Sequence, residues 1–103
     1  MKFESLIKTK SGGFNYSANA QYFAGMETAG KVAAISFINQ GSSNSIVRIK
    51  YGGITVQLLR GEYLEITQPY GGYDTTTYDL VFIPPPVGAA TNNLVLTYTL
   101  FVP

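Results

Sequence analysis

Between its glycine and proline breaks the chain alternates apolar and polar residues with a period of two, the spacing of a half-buried strand. Gly-Gly pairs stand at 12–13, 52–53 and 71–72, and three prolines follow one another at Pro84, Pro85 and Pro86. These breaks delimit eight predicted strands, at Phe3 to Lys8, Gly13 to Ala18, Val32 to Asn39, Ile46 to Tyr51, Ile54 to Leu59, Glu62 to Thr67, Tyr78 to Ile83 and Leu94 to Val102. The stretch from Ala18 to Gly30 reads as loop with room for one turn, where Tyr22, Phe23 and Met26 line a short helix or cover an open end. Eight short strands at this spacing predict an all-β fold, a single-domain antiparallel β-sandwich over residues 1–103 of jelly-roll-like type.

The strongest prediction is the hairpin around Gly52 and Gly53, because a two-residue Gly-Gly loop supplies the positive φ of a tight turn. Pairing Tyr51 with Ile54 places Tyr51, Ile49, Val47, Ile54, Val56 and Leu58 on one apolar face. Lys50, Arg48, Ile46, Thr55, Gln57 and Leu59 fall on the other. A slip of one residue would turn one strand's apolar set outward, so turn and pattern fix the same register. The last strand alternates Leu94, Leu96, Tyr98, Leu100 and Val102 with Val95, Thr97, Thr99 and Phe101, without a charge. Such a strand is either central in its sheet or an edge covered by a neighbouring subunit.

Composition narrows the chemistry. The 103 residues are 46% hydrophobic and 13% charged, with no Cys, His or Trp, which removes disulfides, thiolates, imidazole bases and ordinary zinc sites. Paired carboxylates are the remaining catalytic device, yet Glu62 and Glu65 lie an odd number apart in one strand and point to opposite faces. No Ser-x-x-Lys string precedes Lys31 or Lys50, and the Gly-Gly pairs precede strands, not helix N-termini that could cradle phosphate. Asp74 and Asp79 with their intervening threonines are too thin a set for calcium. The expectation is a non-enzymatic protein with no cofactor and no metal.

The net charge of +1 gives no general affinity for nucleic acid or an acidic membrane. All seven Lys and Arg lie in residues 1–60, and the acids Glu62, Glu65, Asp74 and Asp79 lie beyond, an asymmetry suited to head-to-tail contact between copies. Met1-Lys2-Phe3-Glu4 puts an acid where a secretory signal needs its apolar run, so the expectation is synthesis in the cytosol without general export. A chain with half the usual share of charge has few groups to repel a neighbour, as suits an assembly subunit.

Three features carry candidate contacts. The segment from Gln68 to Tyr78 combines Tyr70, Tyr73 and Tyr78 with Asp74, rings and hydroxyls able to meet a sugar or a protein. Pro84, Pro85 and Pro86 form a stiff ridge that loses little entropy on docking. Arg48 and Lys50 project together from the outward hairpin face, where an acidic partner could meet them.

Phe37-Ile38-Asn39-Gln40-Gly41, Ile46-Val47-Arg48-Ile49, Leu59-Arg60-Gly61-Glu62 and Tyr78-Asp79-Leu80-Val81-Phe82 follow one another in order over residues 35–83. This succession of an Asn-x-Gly turn, a hairpin, a Leu-x-Gly-Glu turn and a Tyr-x-Leu-x-Phe strand resembles small β-sandwich virion proteins of tailed bacteriophages. The resemblance implies a head decoration or auxiliary capsid protein, as in crAss-like and other tailed phages, with head-fibre and tail-fibre components close behind. It implies a major capsid or other virion protein as partner, a homo-oligomer with a trimer favoured, and residence in the virion after synthesis in the host cytoplasm. It transfers no binding residues, since the matching positions are turn and core. The rival readings are a glycan-binding module using Tyr70, Tyr73, Asp74 and Tyr78, and a small glycosidase using Glu62 and Glu65.

Overall fold

The computed structural model describes residues 8–25, 32–68 and 74–102, and these form eight strands with no helix among them. They are β1 (Lys8–Tyr16), β2 (Ala20–Phe23), β3 (Val32–Asn39), β4 (Ile46–Tyr51), β5 (Ile54–Leu59), β6 (Tyr63–Thr67), β7 (Thr77–Ile83) and β8 (Leu94–Val102). The strands pair antiparallel as β1 with β8, β2 with β7, β3 with β6 and β4 with β5. This nesting of first with last and second with seventh is a long hairpin rolled up on itself. Two further pairings, β3 with β8 and β4 with β7, complete a first sheet of order β1-β8-β3-β6 and a second of order β2-β7-β4-β5. The fold is an all-β antiparallel sandwich with the strand order of a jelly roll.

The hairpin register is the predicted one. Tyr51 pairs with Ile54, Ile49 with Val56 and Val47 with Leu58. Gly52 and Gly53 both take positive φ, 54° and 78°, the backbone a two-residue loop needs to follow the strands' twist. Gly53→Ala is therefore expected to cost about 1 kcal/mol in a urea titration through the left-handed backbone alone, since no atom lies within reach of its Cβ. Val47, Ile49 and Leu58 are buried, whereas Ile54 at the tip stays 53% exposed.

Two sequence expectations are corrected. Gly12-Gly13, read as a break, lies inside β1, and the predicted strand from Gly13 is the second half of that element. Gly12 pairs with Tyr98 on β8, and a Cβ at Gly12 would collide with the hydroxyl end of the Tyr98 side chain, so the glycine makes room for an aromatic side chain lying across the strand. Most of the strand predicted at Phe3 to Lys8 lies outside the described residues. Within Ala18 to Gly30, read as loop, β2 forms because β7 offers an edge: Tyr22 pairs with Tyr78 and buries its ring beside it. β8 takes the central place in the first sheet, between β1 and β3.

The core lies between the sheets, where Val32, Ile35, Phe37, Leu94, Leu96 and Leu100 meet Tyr22, Val47, Ile49, Leu58, Tyr78, Leu80 and Phe82. Tilted ring contacts run through it, with Tyr78 centred 5.4 Å from Phe37 and 5.0 Å from Tyr51. A register shift between Val32 and Ala34 leaves Ala33 as the extra residue of a bulge. The bulge aims two consecutive carbonyls at the β6–β7 connection, where Val32 accepts from the Asp74 N–H and Ala33 from that of Gln68.

Candidate contact surface

The predicted contact residues occupy separate places. Arg48 and Lys50 are exposed on the outer face of the second sheet, and the Arg48 Nε–H donates to Gln57 Oε1 across the hairpin at 3.0 Å. Pro84 and Pro86 are exposed and Pro85 is half-buried, at the end of the sandwich where β3 finishes. Tyr70 and Tyr73 lie outside the described residues. Their flanks, Gln68 and Asp74, bond to the start of β3, at the opposite end.

Asp74 is 3% exposed and its carboxylate faces inward. One oxygen accepts the Thr76 N–H at 2.9 Å and the other accepts the Tyr78 hydroxyl. Both carboxylate oxygens are thus engaged inside the fold. Tyr78 is 1% exposed, so neither it nor Asp74 presents a surface to a ligand, and the sugar platform read from the sequence loses these two members. Burial, then the Asp74 carboxylate beside it, pushes the Tyr78 phenol above the ordinary tyrosine range.

A second buried polar cluster ties the β3–β4 loop to the segment that follows the prolines. Asn39, fully buried at the end of β3, donates from Nδ2 to the carbonyls of Ser45 and Leu58, each at 3.1 Å. Its Oδ1 accepts the Gly41 N–H at 3.0 Å and the Ser45 hydroxyl at 3.3 Å. The Ser45 hydroxyl also lies 3.1 Å from Asn92 Oδ1. Backbone bonds from Gln40 to Asn93 and from Ser42 to Thr91 zip the β3–β4 loop to the segment following the prolines. Asn44 adds a bond to the Ala89 carbonyl at 3.2 Å. Gly41 has no room for a Cβ, which would meet the Thr91 oxygen at 2.5 Å and the Ser45 side chain at 2.6 Å.

The prolines continue an apolar row on the outer face of the second sheet. Ile83 pairs with Ile46, and Ile46 with Leu59. Their buried neighbours Phe82, Val47 and Leu58 point into the core, so alternation turns all three outward. Leu59 is 46% exposed, and Val87, just past the prolines, is 85% exposed. The outward positions of Ile46 and Leu59 follow from the hairpin register alone. Ile83 joins them only through the β4–β7 pairing, which no local pattern encodes. The Leu59-Arg60-Gly61-Glu62 turn fixes the row's edge: the Leu59 N–H donates to Glu62 Oε1 at 2.7 Å, the Glu62 N–H returns to the Leu59 carbonyl at 3.0 Å, and Gly61 takes a φ of 82°.

The chain matches no protein-family model, and no curated protein is similar to it in sequence.

Proposed function

We propose that this chain is a non-enzymatic structural subunit of a virion, an auxiliary or decoration protein that binds the outside of a phage capsid lattice through protein–protein contacts. The observation that carries the reading is the apolar row Leu59, Ile46 and Ile83, running into the three prolines, whose following segment is hydrogen-bonded to the β3–β4 loop. A patch of aliphatic side chains gains from burial, and three successive prolines have little conformational freedom left to lose. Arg48, next to this row on the outer face, adds a charge that an acidic patch on the shell would meet. Repetition on a lattice multiplies such modest contacts through avidity. The jelly-roll strand order suits the role, being an architecture that viral capsid domains use, and the resemblance over residues 35–83 supplies the virion setting.

The test is co-sedimentation of the purified full chain with shells of the major capsid protein encoded nearest to it, together with native mass measurement. The expected result is capsid binding and a defined oligomer, a trimer favoured. Leu59→Glu should abolish capsid binding while shifting the chain's own urea midpoint little, because the side chain is half exposed in the isolated domain. A chain that never pellets with shells, or a Leu59→Glu variant that binds them as well as the parent, would overturn the reading.

A further inference from the structure

The other half of the second sheet's outer face carries a different chemistry. Gln21 on β2, Asp79 on β7 and Lys50 on β4 are consecutive cross-strand partners, so their side chains form one row on the outer face. Phe23 stands two residues after Gln21 on the same face, 40% exposed. These four side chains line one shallow depression on the sheet, with Asn19 at its rim.

We propose that this depression binds a neutral hexopyranose. The row spans about 10 Å over three strands, and the ring sits about 7 Å along from Gln21, a spacing that fits one sugar unit. The apolar face of a pyranose presents C–H groups, which the negative π face of Phe23 attracts. The equatorial hydroxyls on the adjoining edge both donate and accept. Gln21 Nε2 already donates to Asp79 Oδ1 at 2.7 Å, which orients the carboxylate and leaves Oδ2 for a sugar hydroxyl. Lys50, which makes no ion pair among the described residues, offers its ammonium to the neighbouring hydroxyl. The charges of Asp79 and Lys50 offset each other. An anion would meet the carboxylate and a cation the ammonium, whereas vicinal hydroxyls satisfy both.

This site is independent of the apolar row. Saturation-transfer NMR on the full chain, with the methyl pyranosides of glucose, galactose and mannose and with N-acetylglucosamine as probes, tests it. The expected result is transfer to the ring C–H protons of at least one sugar, with Kd raised about tenfold in Asp79→Asn and in Phe23→Leu. Phe23→Leu keeps an apolar side chain and removes the ring, and Asp79→Asn keeps the acceptor from Gln21, so both variants retain what the sheet itself requires. Leu59→Glu should leave transfer unchanged, which separates this outcome from the fate of the capsid-binding reading. Absence of transfer to all four sugars overturns the proposal. So does transfer that survives both substitutions, since the sugar would then sit elsewhere.

Discussion

Replacing Asn39 with alanine is expected to lower the stability of the domain by about 4 kcal/mol, more than the loss of an average buried hydrogen bond. The reason lies in what the side chain leaves behind. Asn39 satisfies the carbonyls of Ser45 and Leu58 with its two amide protons, and the Gly41 N–H and Ser45 hydroxyl with its oxygen. Leu58 belongs to the second sheet and Asn39 to the first, so the amide also ties the sheets together at this end. Alanine orphans these groups in a place that water enters only by opening the loop, and each orphan carries its own desolvation cost of roughly 1–3 kcal/mol. Partial opening of the loop relieves some of it. A urea titration reads the shift. Asn39→Asp is the sharper control: a carboxylate keeps the accepting half but turns oxygen lone pairs toward two carbonyls. Its proton would be held above the normal aspartate pKa, so this variant's deficit should grow as pH rises from about 4, where the unfolded chain ionises, and level off once the folded carboxyl ionises too. A stability loss below about 1 kcal/mol for Asn39→Ala would show that the amide network is not what closes this end.

Asn39 also marks where the sequence stopped being informative. Asn-x-Gly identifies a turn, since Asx side chains bond their own backbone two residues on, and the Gly41 N–H to Asn39 contact is that bond. The other partners come from Leu58 and Ser45, and the brace reaches Asn92 through Ser45. Only the β3–β5 juxtaposition creates the Leu58 contact, and only the docking of the segment before β8 creates the one to Asn92. The hairpin of β4 and β5 was legible for the opposite reason. A two-residue turn fixes pairing parity locally, so Val47, Ile49, Val56 and Leu58 could be assigned to one face without any distant strand.

The errors have the same origin. Gly12 has the composition of a turn residue and the role of a clearance, and that role is set by Tyr98, which the roll brings opposite it from the far end of the chain. β2 has four residues and one buried ring within the strand, too little alternation to stand out, and it exists because β7 offers an edge. In the jelly roll the outermost pairings join the most distant parts of the chain. Elements near the middle of the sequence therefore read well and those near its start read poorly. The contact residues divide along the same line: Arg48 and Lys50 are outward as the hairpin register requires, whereas Asp74, polar and in a connecting segment, is drawn inward by Tyr78.

That inward carboxylate leads to the second large effect. Asp74→Ala is expected to cost about 3 kcal/mol, because it removes the acceptor of a buried phenol and the acceptor of the Thr76 N–H together. Tyr78→Phe should cost about 2 kcal/mol by leaving the carboxylate buried with one donor fewer. The double variant should lose less than the sum of the two, since each single change strands a partner that the other removes. The pH dependence follows from the raised Tyr78 phenol. Between the ordinary tyrosine pKa of about 10 and the higher value in the fold, the unfolded chain has released its proton and the folded chain has kept it. Stability is therefore fully present below about pH 10 and falls above it, with a slope of up to about 1.4 kcal/mol per pH unit from this one group. Tyr78→Phe should flatten that alkaline limb by the same amount, relative to the parent, in urea titrations from pH 8 to 11. Equal alkaline slopes in parent and variant would mean that the Tyr78 hydroxyl reaches water in the folded protein, and that the Asp74 pairing contributes nothing to holding the β6–β7 connection against the start of β3.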